Sequence, residues 1–405
     1  MQLNYLALAV PFFLFFMLLE YYYSRKKGKN LFQYAESVAN INVGIAERLL
    51  DIFTTGIFFF FFSFIHEHFA IFDIKANVWT WILLFLVTDF VWYWYHRKAH
   101  EVNAFWAVHV VHHQSEDFNY TVSARITVFQ AAVRCLFWAV LPLIGFPPVM
   151  ISVLLLLHGI YPFFIHTQAL GKWGIFEKIL VTPTHHGIHH ASNPEYLDKN
   201  YGDVLIIWDK LFGTFTEEKK EVKIVYGLTK SLDSHSFLWQ HFHFPLEIYM
   251  NLRHAKGLRA KWKVLFGRPD ALDPRYRSVL ERKLLRRHPG RLSEPTIAIR
   301  QYVTGQTIFS LFLLFLTILF EHYFTVLQLF LLSAFILISI INSGAILDQR
   351  RWIFYLEYSR VLIILVAAGV FYPGGWTYSL ITVIVLLMIL FLRPLRRFYL
   401  RLLYA

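Results

Sequence analysis

The chain has 405 residues, of which 57% are hydrophobic, 19% aromatic and only 16% charged. Soluble domains carry roughly 25% charged residues, so this composition excludes a water-soluble globule and indicates a polytopic membrane protein. The net charge of +12 comes mostly from basic residues beside apolar segments, which favours contact with anionic lipid and argues against nucleic acid as a partner. The single cysteine, Cys135, excludes an intramolecular disulfide, a thiolate zinc site and an iron–sulfur cluster.

The first apolar segments predict three membrane spans. Span one covers residues 3–23 and is followed by a basic stretch, so the positive-inside rule places its end on the cytoplasmic side. Residues 31–48 predict an interfacial or juxtamembrane helix, and span two at 49–65 then crosses outward. Span three at 76–95 returns inward and ends in an aromatic belt, which delivers His96 to the cytoplasmic surface.

The middle of the chain predicts a membrane hairpin and a surface cap. Residues 126–166 are apolar but contain a turn signal, which predicts two short segments that either cross the membrane or re-enter it. The turn signal consists of Pro142, Gly145, Pro147 and Pro148. Because the chain returns to the side it left, we expect His166 beside the earlier histidines. Residues 237–266 predict amphipathic helices on the membrane surface, and residues 268–300 predict an exposed cytoplasmic linker.

Four further spans are predicted at residues 303–320, 325–342, 352–372 and 376–393. The predicted fold is an all-α polytopic membrane protein, with transmembrane helices and a cytoplasmic histidine-rich helical cap. We expect N-terminal transmembrane helices at 1–95, a catalytic region at 96–300 and a C-terminal transmembrane bundle at 301–405. The expected location is the bacterial inner membrane or the endoplasmic reticulum, with the histidines on the cytoplasmic side.

Histidines are concentrated in two clusters. Five fall within the eighteen residues from His96 to His113, and the second cluster occupies residues 185–190. Imidazole is a good ligand for iron, zinc, copper and nickel. Residues at i and i+3 or i+4 share one face of a helix, so one H-x3-H box and two H-x2-H-H boxes can each converge on an ion. With His166 added, the predicted ligands are His96, His100, His109, His112, His113, His166, His186, His189 and His190.

Nine imidazoles exceed the needs of one ion with about four to six ligands, so we predict two ions in one pocket. The spacing leaves open whether His185 and His158 are also ligands. Carboxylates and amides beside the boxes are candidates to orient the imidazoles. Among them we select Glu101, Asp117 and Asn119 as catalytic candidates, with helix capping and loop solvation as the alternative roles. Asp89 lies inside span three, where an ionisable group is costly, and we expect it to hydrogen-bond near the metal pocket.

A shell of neutral imidazoles leaves the metals with their full positive charge. That suits ferrous iron and oxygen activation, and it suits equally a zinc ion that polarises water for hydrolysis. A metal carrier would place its ligands within the spans, whereas these histidines cluster at the ends of spans. Spacing alone leaves an oxygenase and a zinc-dependent membrane lipid hydrolase both open.

The three boxes around a membrane hairpin resemble those of the fatty acid hydroxylase and sterol desaturase superfamily of membrane di-iron oxygenases. Six stretches within roughly residues 80–270 look like its alkylglycerol monooxygenase branch. They are His96–Asn103 (HRKAHEVN), His112–Asn119 (HHQSEDFN), Ile165–Thr167, Thr182–His186 (TPTHH), Asp198–Gly202 (DKNYG) and Trp208–Phe215 (WDKLFGTF).

The resemblance implies a mixed-function oxygenase with two iron ions, which binds O2 and inserts one oxygen atom beside an ether oxygen of a lipid. The resulting hemiacetal collapses to an aldehyde and a glycerol derivative. The resemblance also implies tetrahydrobiopterin as the reductant, so the expected partners are a membrane lipid and an electron donor. A sterol or fatty-acyl hydroxylase or desaturase of the same superfamily is the alternative to this interpretation, beside the zinc hydrolase.

Overall fold

The computed structural model describes residues 3–285 and 294–404, and the regular structure within them is helical. Two isolated β-bridges, Leu180 with Leu205 and Ala191 with Tyr226, are the exceptions in this part of the chain. Among these residues, seven helices are long and apolar enough to cross a membrane, and a bent pair near the C-terminal end would be an eighth. The predicted all-α polytopic fold is confirmed, and the chain is an integral, multi-pass membrane protein.

The α-helices are numbered in chain order. Helices α1 to α9 are Ala9–Lys26, Tyr34–Phe69, Val78–Glu101, Asn103–His109, Tyr120–Ser123, Gln130–Trp138, Val140–Ile144, Pro148–His158 and Ile160–Ile165. Helices α10 to α14 are Pro183–His189, Ile207–Phe212, Phe237–His254, Leu258–Phe266 and Arg275–Leu284. Helices α15 to α19 are Ile297–Leu319, Val326–Leu347, Ile353–Phe371, Gly375–Leu390 and Leu392–Tyr404. Short 3-10 helices lie at Tyr5–Leu8, His112–Gln114, Gly174–Lys178, Pro269–Ala271 and Glu321–Tyr323.

Most predicted spans overlap a helix that can cross a membrane. Helices α1, α2, α3, α15, α16 and α17 are such helices, and α8 with α9 forms another over Pro148–Ile165. The span predicted at 376–393 corresponds to α18, which is followed by α19 after a bend of 72°. The sequence predicts only a basic tail there, whereas the structure has a helix, α19, over Leu392–Tyr404.

The structure has one helix, α2, where the sequence predicts a boundary between two helices. The sequence predicts separate helices at 31–48 and 49–65, but α2 runs unbroken over 36 residues. At 1.5 Å per residue it is about 54 Å long, well beyond a hydrocarbon core of about 30 Å. Its first half is largely buried, whereas Phe59, Phe60 and Phe64 in its second half are exposed. The first half therefore packs within the protein, and the second half presents Phe59, Phe60 and Phe64 to lipid.

The predicted hairpin at 126–166 has unequal arms. Helices α6 and α7 form a short apolar arm over Gln130–Ile144, and only the second arm, α8 with α9, is long enough to span. The turn between them lies at Gly145, which has a φ of 122°. A Cβ atom at Gly145 would come 1.8 Å from the carbonyl oxygen of Phe72, so only glycine allows this close approach.

The exposed linker predicted at 268–300 is partly wrong. Within it, α14 carries Arg277, which is buried. The Arg277 guanidinium donates to the carbonyl oxygen of Ser231 at 2.9 Å and lies 3.1 Å from Glu281 and 3.9 Å from Glu247. A buried cation needs such partners, so this stretch contributes to the fold. Residues 286–293 of the predicted linker lie outside the described residues. The amphipathic helices predicted at 237–266 correspond to α12 and α13.

The chain forms two compact units. The larger holds Phe15–Asp233 and Gln240–Leu285. Its apolar core joins α2, α3, α6, α7 and α8 through buried side chains that include Phe62, Leu84, Tyr95, Trp138, Leu141 and Ile151. This core fixes the end of α3 that carries the first histidine box.

The second unit is made of the described residues of Met1–Leu14, Ser234–Trp239 and Arg286–Ala405. Within it, the Glu357 carboxylate on α17 accepts hydrogen bonds from Tyr302 on α15, Asn342 on α16 and Tyr399 on α19. One side chain thus ties the bent C-terminal helix to three others. The three-part division predicted from the sequence stays a prediction.

Candidate metal centre

Helix α3 positions the first histidine box. The side chain of Asn77 accepts hydrogen bonds from two backbone N–H groups of the first turn at 2.9 and 3.1 Å, which completes a capping box. The last turns of the helix carry His96 and His100, four residues apart and therefore on one face. The helix ends one residue after His100, so the box lies at the end of a span.

A buried guanidinium holds the second box. Arg125 is 1% exposed and donates to the carbonyl oxygen of Val111 at 2.6 Å and to Gln114 Oε1 at 2.7 Å. It also donates to Asn40 Oδ1 on α2 at 2.9 Å. The carbonyl oxygen of Arg125 lies 3.2 Å from His112 Nδ1. Because Arg125 bonds on both sides of His112, it fixes the short turn that carries this box.

His166 is anchored through its neighbour. Thr167 Oγ1 donates to the carboxylate of Glu20 on α1, and the same carboxylate accepts from the backbone N–H of Tyr120 at 2.7 Å. Through these two hydrogen bonds, the buried Glu20 connects α1 to the segments before and after the hairpin. Glu20 is not among the residues predicted above, although an acidic residue within an apolar segment is a signal of a specific role.

Helix α10 presents the third box. It begins with Thr182 as N-cap and proline at its first position, and the side chain of His185 completes the capping box. The backbone N–H of Thr182 donates to His185 Nδ1 at 3.3 Å. His185 therefore serves the helix cap, while His186, His189 and His190 turn to the other histidines.

The loop after α10 is tightly fixed. Asp198 and Asn200 have φ values of 59° and 54°, a backbone region that strains residues other than glycine. The Asn200 side chain compensates by bonding to Thr216 through both of its polar atoms, at 3.0 and 2.9 Å. Asp209 accepts from the backbone N–H groups of Tyr201 and Gly202, each at 2.7 Å. The carbonyl groups of this loop are thereby held in place.

The nine histidines predicted as ligands lie in two groups. The first group is His96, His100, His109, His113 and His189, and the second is His112, His166, His186 and His190. Within each group, one ring nitrogen per residue lies within 4.8 Å of all the others. The groups adjoin, since the ring centroids of His113 and His190 are 4.4 Å apart. Their role as ligands stays a prediction.

The two histidine groups do not coincide with the boxes seen in the sequence. Each H-x2-H-H box is expected from its spacing to converge on one ion. Instead, His112 and His113 belong to different groups, and so do His189 and His190. Consecutive side chains point in different directions, so each of the two H-x2-H-H boxes contributes to both groups, while His96 and His100 stay together in the first group.

The Nε2 atoms within each group face one another. Two ligands of one ion at right angles have nitrogens about 3.0 Å apart, because a metal–imidazole bond measures about 2.1 Å. The observed Nε2–Nε2 distances are 3.1 Å (His96–His109), 3.2 Å (His109–His113), 3.1 Å (His112–His166), 2.9 Å (His166–His186) and 3.2 Å (His186–His190).

Backbone carbonyls set the tautomers of four imidazoles. A carbonyl oxygen can only accept, so the facing Nδ1 carries the proton and Nε2 presents its lone pair to the group. Lone pairs collected in this way are stabilised by a cation. The Nε2 atoms of His100 and His189 are, moreover, buried without a hydrogen-bond partner. These residues therefore fit a metal ion. The Nδ1–carbonyl pairs are His96 with Tyr201 (2.8 Å), His189 with Lys199 (2.9 Å), His112 with Arg125 (3.2 Å) and His166 with Pro162.

Burial keeps the imidazoles neutral. It lowers the pKa of His109 to about 3, and the pKa values of His166 and His189 to about 4. Burial likewise holds the pKa values of the remaining imidazoles outside α3 well below their usual range; these are His112, His113, His186 and His190. Only a neutral imidazole binds metal, so both groups are competent at neutral pH.

The predicted catalytic residue Glu101 is engaged with basic side chains. Its carboxylate lies 2.9 Å from Arg97 Nε and 2.7 Å from Lys98 Nζ, both in the last turn of α3. The side chain is 20% exposed. These contacts suit a role at the end of α3, and the catalytic role of Glu101 stays a prediction.

Asp117 and Asn119 bind the connection between α1 and α2. Asp117 accepts from the backbone N–H of Gln33 at 2.7 Å, and burial raises the pKa of Asp117 to about 7. Asn119 caps α5 through its Oδ1 and donates from Nδ2 to the carbonyl oxygen of Leu31 at 2.6 Å. Their catalytic roles also stay predictions.

Known proteins with similar sequences point to one family. The fatty acid hydroxylase family model matches residues 81–214, the segment that carries all nine histidines. The alkylglycerol monooxygenase of Homo sapiens is 34% identical over 369 residues, which cover 89% of this chain and 82% of that protein. The chain belongs to the fatty acid hydroxylase family, in its alkylglycerol monooxygenase-like branch.

Two further relatives agree with this placement in the fatty acid hydroxylase family. The alkylglycerol monooxygenase of Danio rerio is 30% identical, with 89% of this chain and 82% of that protein covered. The ornithine lipid hydroxylase of Rhizobium tropici is 28% identical over 155 residues, 36% of this chain and 45% of that protein. No solved structure matches the chain.

Family membership confirms the predicted resemblance and the predicted enzyme class. With its apolar helices, this family member is a membrane lipid monooxygenase, an oxidoreductase that uses O2. The histidine groups fit a di-iron site.

Proposed function

We propose that the two histidine groups each hold one iron ion, and that the substrate is a glycerol lipid with an ether-linked alkyl chain. The first ion takes His96, His100, His109, His113 and His189, and the second takes His112, His166, His186 and His190. We place this centre on the cytoplasmic side, in the endoplasmic reticulum or the bacterial inner membrane. Iron bound there would supply O2 activation and insertion of one oxygen atom into a C–H bond.

The observation that carries the proposal is the first group of five imidazoles, four of them buried, in which His109 Nε2 lies 3.1 Å from His96 Nε2 and 3.2 Å from His113 Nε2. Tetrahedral ligands on bonds of about 2.1 Å would stand about 3.4 Å apart, and structural zinc takes four ligands. The two measured pairs lie nearer the right-angle distance, which together with five candidate ligands suits a five- or six-coordinate ion. Neutral nitrogen ligands leave that ion its full charge.

Aromatic side chains cover the groups and limit access of water. The Trp106 ring lies 4.9 Å from that of His100, and the Phe118 ring lies 5.2 Å from that of His190. A dry pocket protects an oxidising centre from side reactions. It also suits a substrate whose reacting carbon is part of an alkyl chain.

The ether-lipid substrate is supported by the relatives with the greatest coverage described above, which are alkylglycerol monooxygenases. An ether R–CH2–O–R′ with O2, two electrons and two protons gives R–CH(OH)–O–R′ and water. The hemiacetal then separates into an aldehyde and a free glycerol hydroxyl. The two electrons come from a reductant, for which tetrahydrobiopterin is our proposal.

The test uses the purified full chain in lipid nanodiscs with an alkylglycerol, tetrahydrobiopterin and ¹⁸O2. We expect stoichiometric iron and an aldehyde that carries ¹⁸O when it is trapped before exchange with water. His113→Ala and His189→Ala should each lower turnover at least about 100-fold, because loss of a group that only orients a ligand already costs about 10- to 100-fold. His322→Ala, a change at an exposed histidine outside the larger unit, is the matched control.

Stoichiometric zinc with turnover under argon would instead identify a zinc-dependent lipid hydrolase. Iron-dependent oxidation of a sterol or fatty-acyl chain, with no reaction of the ether, would keep the metal centre and reject the ether substrate. Full turnover in both histidine variants would reject the ligand assignment.

A further inference from the structure

A third cluster of ionisable groups lies outside the two histidine groups. His158, at the end of α8, places Nε2 3.1 Å from Asp89 Oδ1 and Nδ1 2.7 Å from Asp203 Oδ2. The side chains of His158, Asp89 and Asp203 are 2%, 0% and 5% exposed. Asp89 belongs to α3 and Asp203 to the loop after α10, so the cluster joins three separate segments.

The three residues could form another metal site, but their hydrogen bonds argue against one. The two oxygens of Asp89 also accept from the backbone N–H groups of Val204 and Leu205, at 3.0 and 3.2 Å, and from Trp208 Nε1 at 2.8 Å. A metal ion would have to displace these donors and leave them buried and unsatisfied. One ring nitrogen of His158 is hydrogen-bonded to Asp89, and the other lies at ion-pair distance, 2.7 Å, from Asp203 Oδ2, so the ring stands between two carboxylates and is an imidazolium. A cation already occupies this position.

The cluster holds a loop that touches the metal centre. Asp89 accepts from the backbone of Val204 and Leu205, and His158 pairs with Asp203, so residues 203–205 are held in place. Just before these residues, the carbonyl oxygens of Lys199 and Tyr201 face His189 Nδ1 and His96 Nδ1 at 2.9 and 2.8 Å. Both of these histidines belong to the first group. No corresponding contact joins the loop carbonyls to the second group among the described hydrogen bonds.

We infer that His158 is a positioning residue: by bridging Asp89 and Asp203 it holds the loop whose carbonyl groups orient His96 and His189, and so it controls metal binding at the first group and not at the second. This inference rests on the proposed function. It assigns a role in metal binding to a residue of the membrane hairpin that contacts neither ion site.

The test compares metal binding in the full-length protein and two variants, His158→Leu and Asp203→Asn. Loss of a group that orients a metal ligand weakens metal affinity about 10- to 100-fold. We expect a chelator titration to remove one iron from each variant at a 10- to 100-fold lower chelator concentration than from the wild type. The second iron should leave at the wild-type concentration, and Mössbauer spectra should change from a coupled pair to an isolated ion. His158→Gln, which can still bond to one carboxylate, should lie between His158→Leu and the wild type.

Leu154→Ala is the matched control, because Leu154 is buried on the same helix and belongs to the apolar core. It should lose stability yet keep both irons at wild-type affinity. If His158→Leu does not fold, Asp203→Asn decides the question, because it leaves the contacts of Asp89 in place.

Several results would overturn the inference. One is retention of both irons at unchanged affinity in Asp203→Asn, and another is equal loss from both groups. Three ions per wild-type chain, with the third absent from His158→Leu, would show that the cluster is itself a metal site. A wild-type protein without iron would contradict the proposed function itself, a result distinct from these.

Discussion

At the scale of residues, the orientation of the imidazoles comes mainly from backbone carbonyl groups. Sequence reasoning expects nearby carboxylates and amides in this role, but Tyr201, Lys199 and Arg125 act through their carbonyl oxygens. A carbonyl fixes the tautomer without adding a negative charge to the pocket. The metals would therefore keep their full charge, which a carboxylate at the same place would reduce.

Asp117 offers a test at this scale. Its pKa is raised from 3.8 to about 7 by burial, so the folded state binds more protons than the unfolded state between these values. The contribution of Asp117 to stability is thus present at low pH and is lost as pH rises through about 7. Asp117→Asn can keep the bond from Gln33 without the buried charge. We expect the variant to gain on the order of 2 kcal/mol over the wild type in unfolding free energy between pH 5 and pH 8.

Thermal unfolding of both proteins across this pH range measures the effect, and turnover at pH 7.5 is read alongside. Near wild-type turnover in Asp117→Asn would assign Asp117 a structural role. A loss of turnover with unchanged metal content would support the catalytic role predicted from the sequence.

At the scale of elements, the long helix α2 combines two environments. A Cβ atom at Gly44 would lie 2.9 Å from both the Cβ and the carbonyl oxygen of Ala124, so α2 makes a close backbone approach there. Nearby, Asn40 bonds to Thr121 Oγ1 at 3.0 Å and to the guanidinium of Arg125. The buried half of α2 therefore supports the segment that orients His112.

Two glycines of the same helix provide a matched comparison. Gly44→Ala must displace backbone atoms of Ala124 and should lower the unfolding free energy by about 1–3 kcal/mol. Gly56 has open space around its Cβ position, so Gly56→Ala should be neutral or stabilising by up to about 1 kcal/mol. Thermal stability in one detergent measures both. Equal effects of the two substitutions would contradict the close packing at Gly44.

At the scale of the whole molecule, metal binding and stability of the larger unit are linked. The inward lone pairs of neutral imidazoles lie close together, and a bound cation relieves their repulsion. Because the proposed ligands come from α3, α4, α10, the segments between them and His190 directly after α10, ions bound there would connect parts of the chain that are distant in sequence. Metal binding is therefore coupled to the packing of this unit.

Removal of iron tests this coupling. At free iron about 100- to 1,000-fold above its dissociation constant, bound metal stabilises the folded state by about 3–4 kcal/mol. We expect stripping with a chelator to lower the unfolding temperature, and iron to restore it. The shift should be smaller in His113→Ala, which lacks one proposed ligand. Identical unfolding of iron-loaded and stripped protein would show that the histidine groups do not bind iron.

Hydropathy and residue spacing are enough to predict the membrane class, most of the spans and the nine clustered histidines. These properties are local: hydropathy over about 20 residues indicates a span, and spacing of three or four residues places side chains on one face of a helix. The unbroken length of α2 is not evident from the sequence, because its buried first half lacks the uniform apolar character of a span.

The division of the histidines between two groups depends on how the chain folds. His112 and His113 are adjacent in the chain, yet they join different groups, because the partners of His112 include His166, 54 residues away. The carbonyl groups that orient the rings, and the bridge from His158 to Asp89 and Asp203, depend in the same way on segments brought together by folding. Backbone carbonyls occur at every residue, so no pattern of side chains in a sequence can mark which of them will face an imidazole.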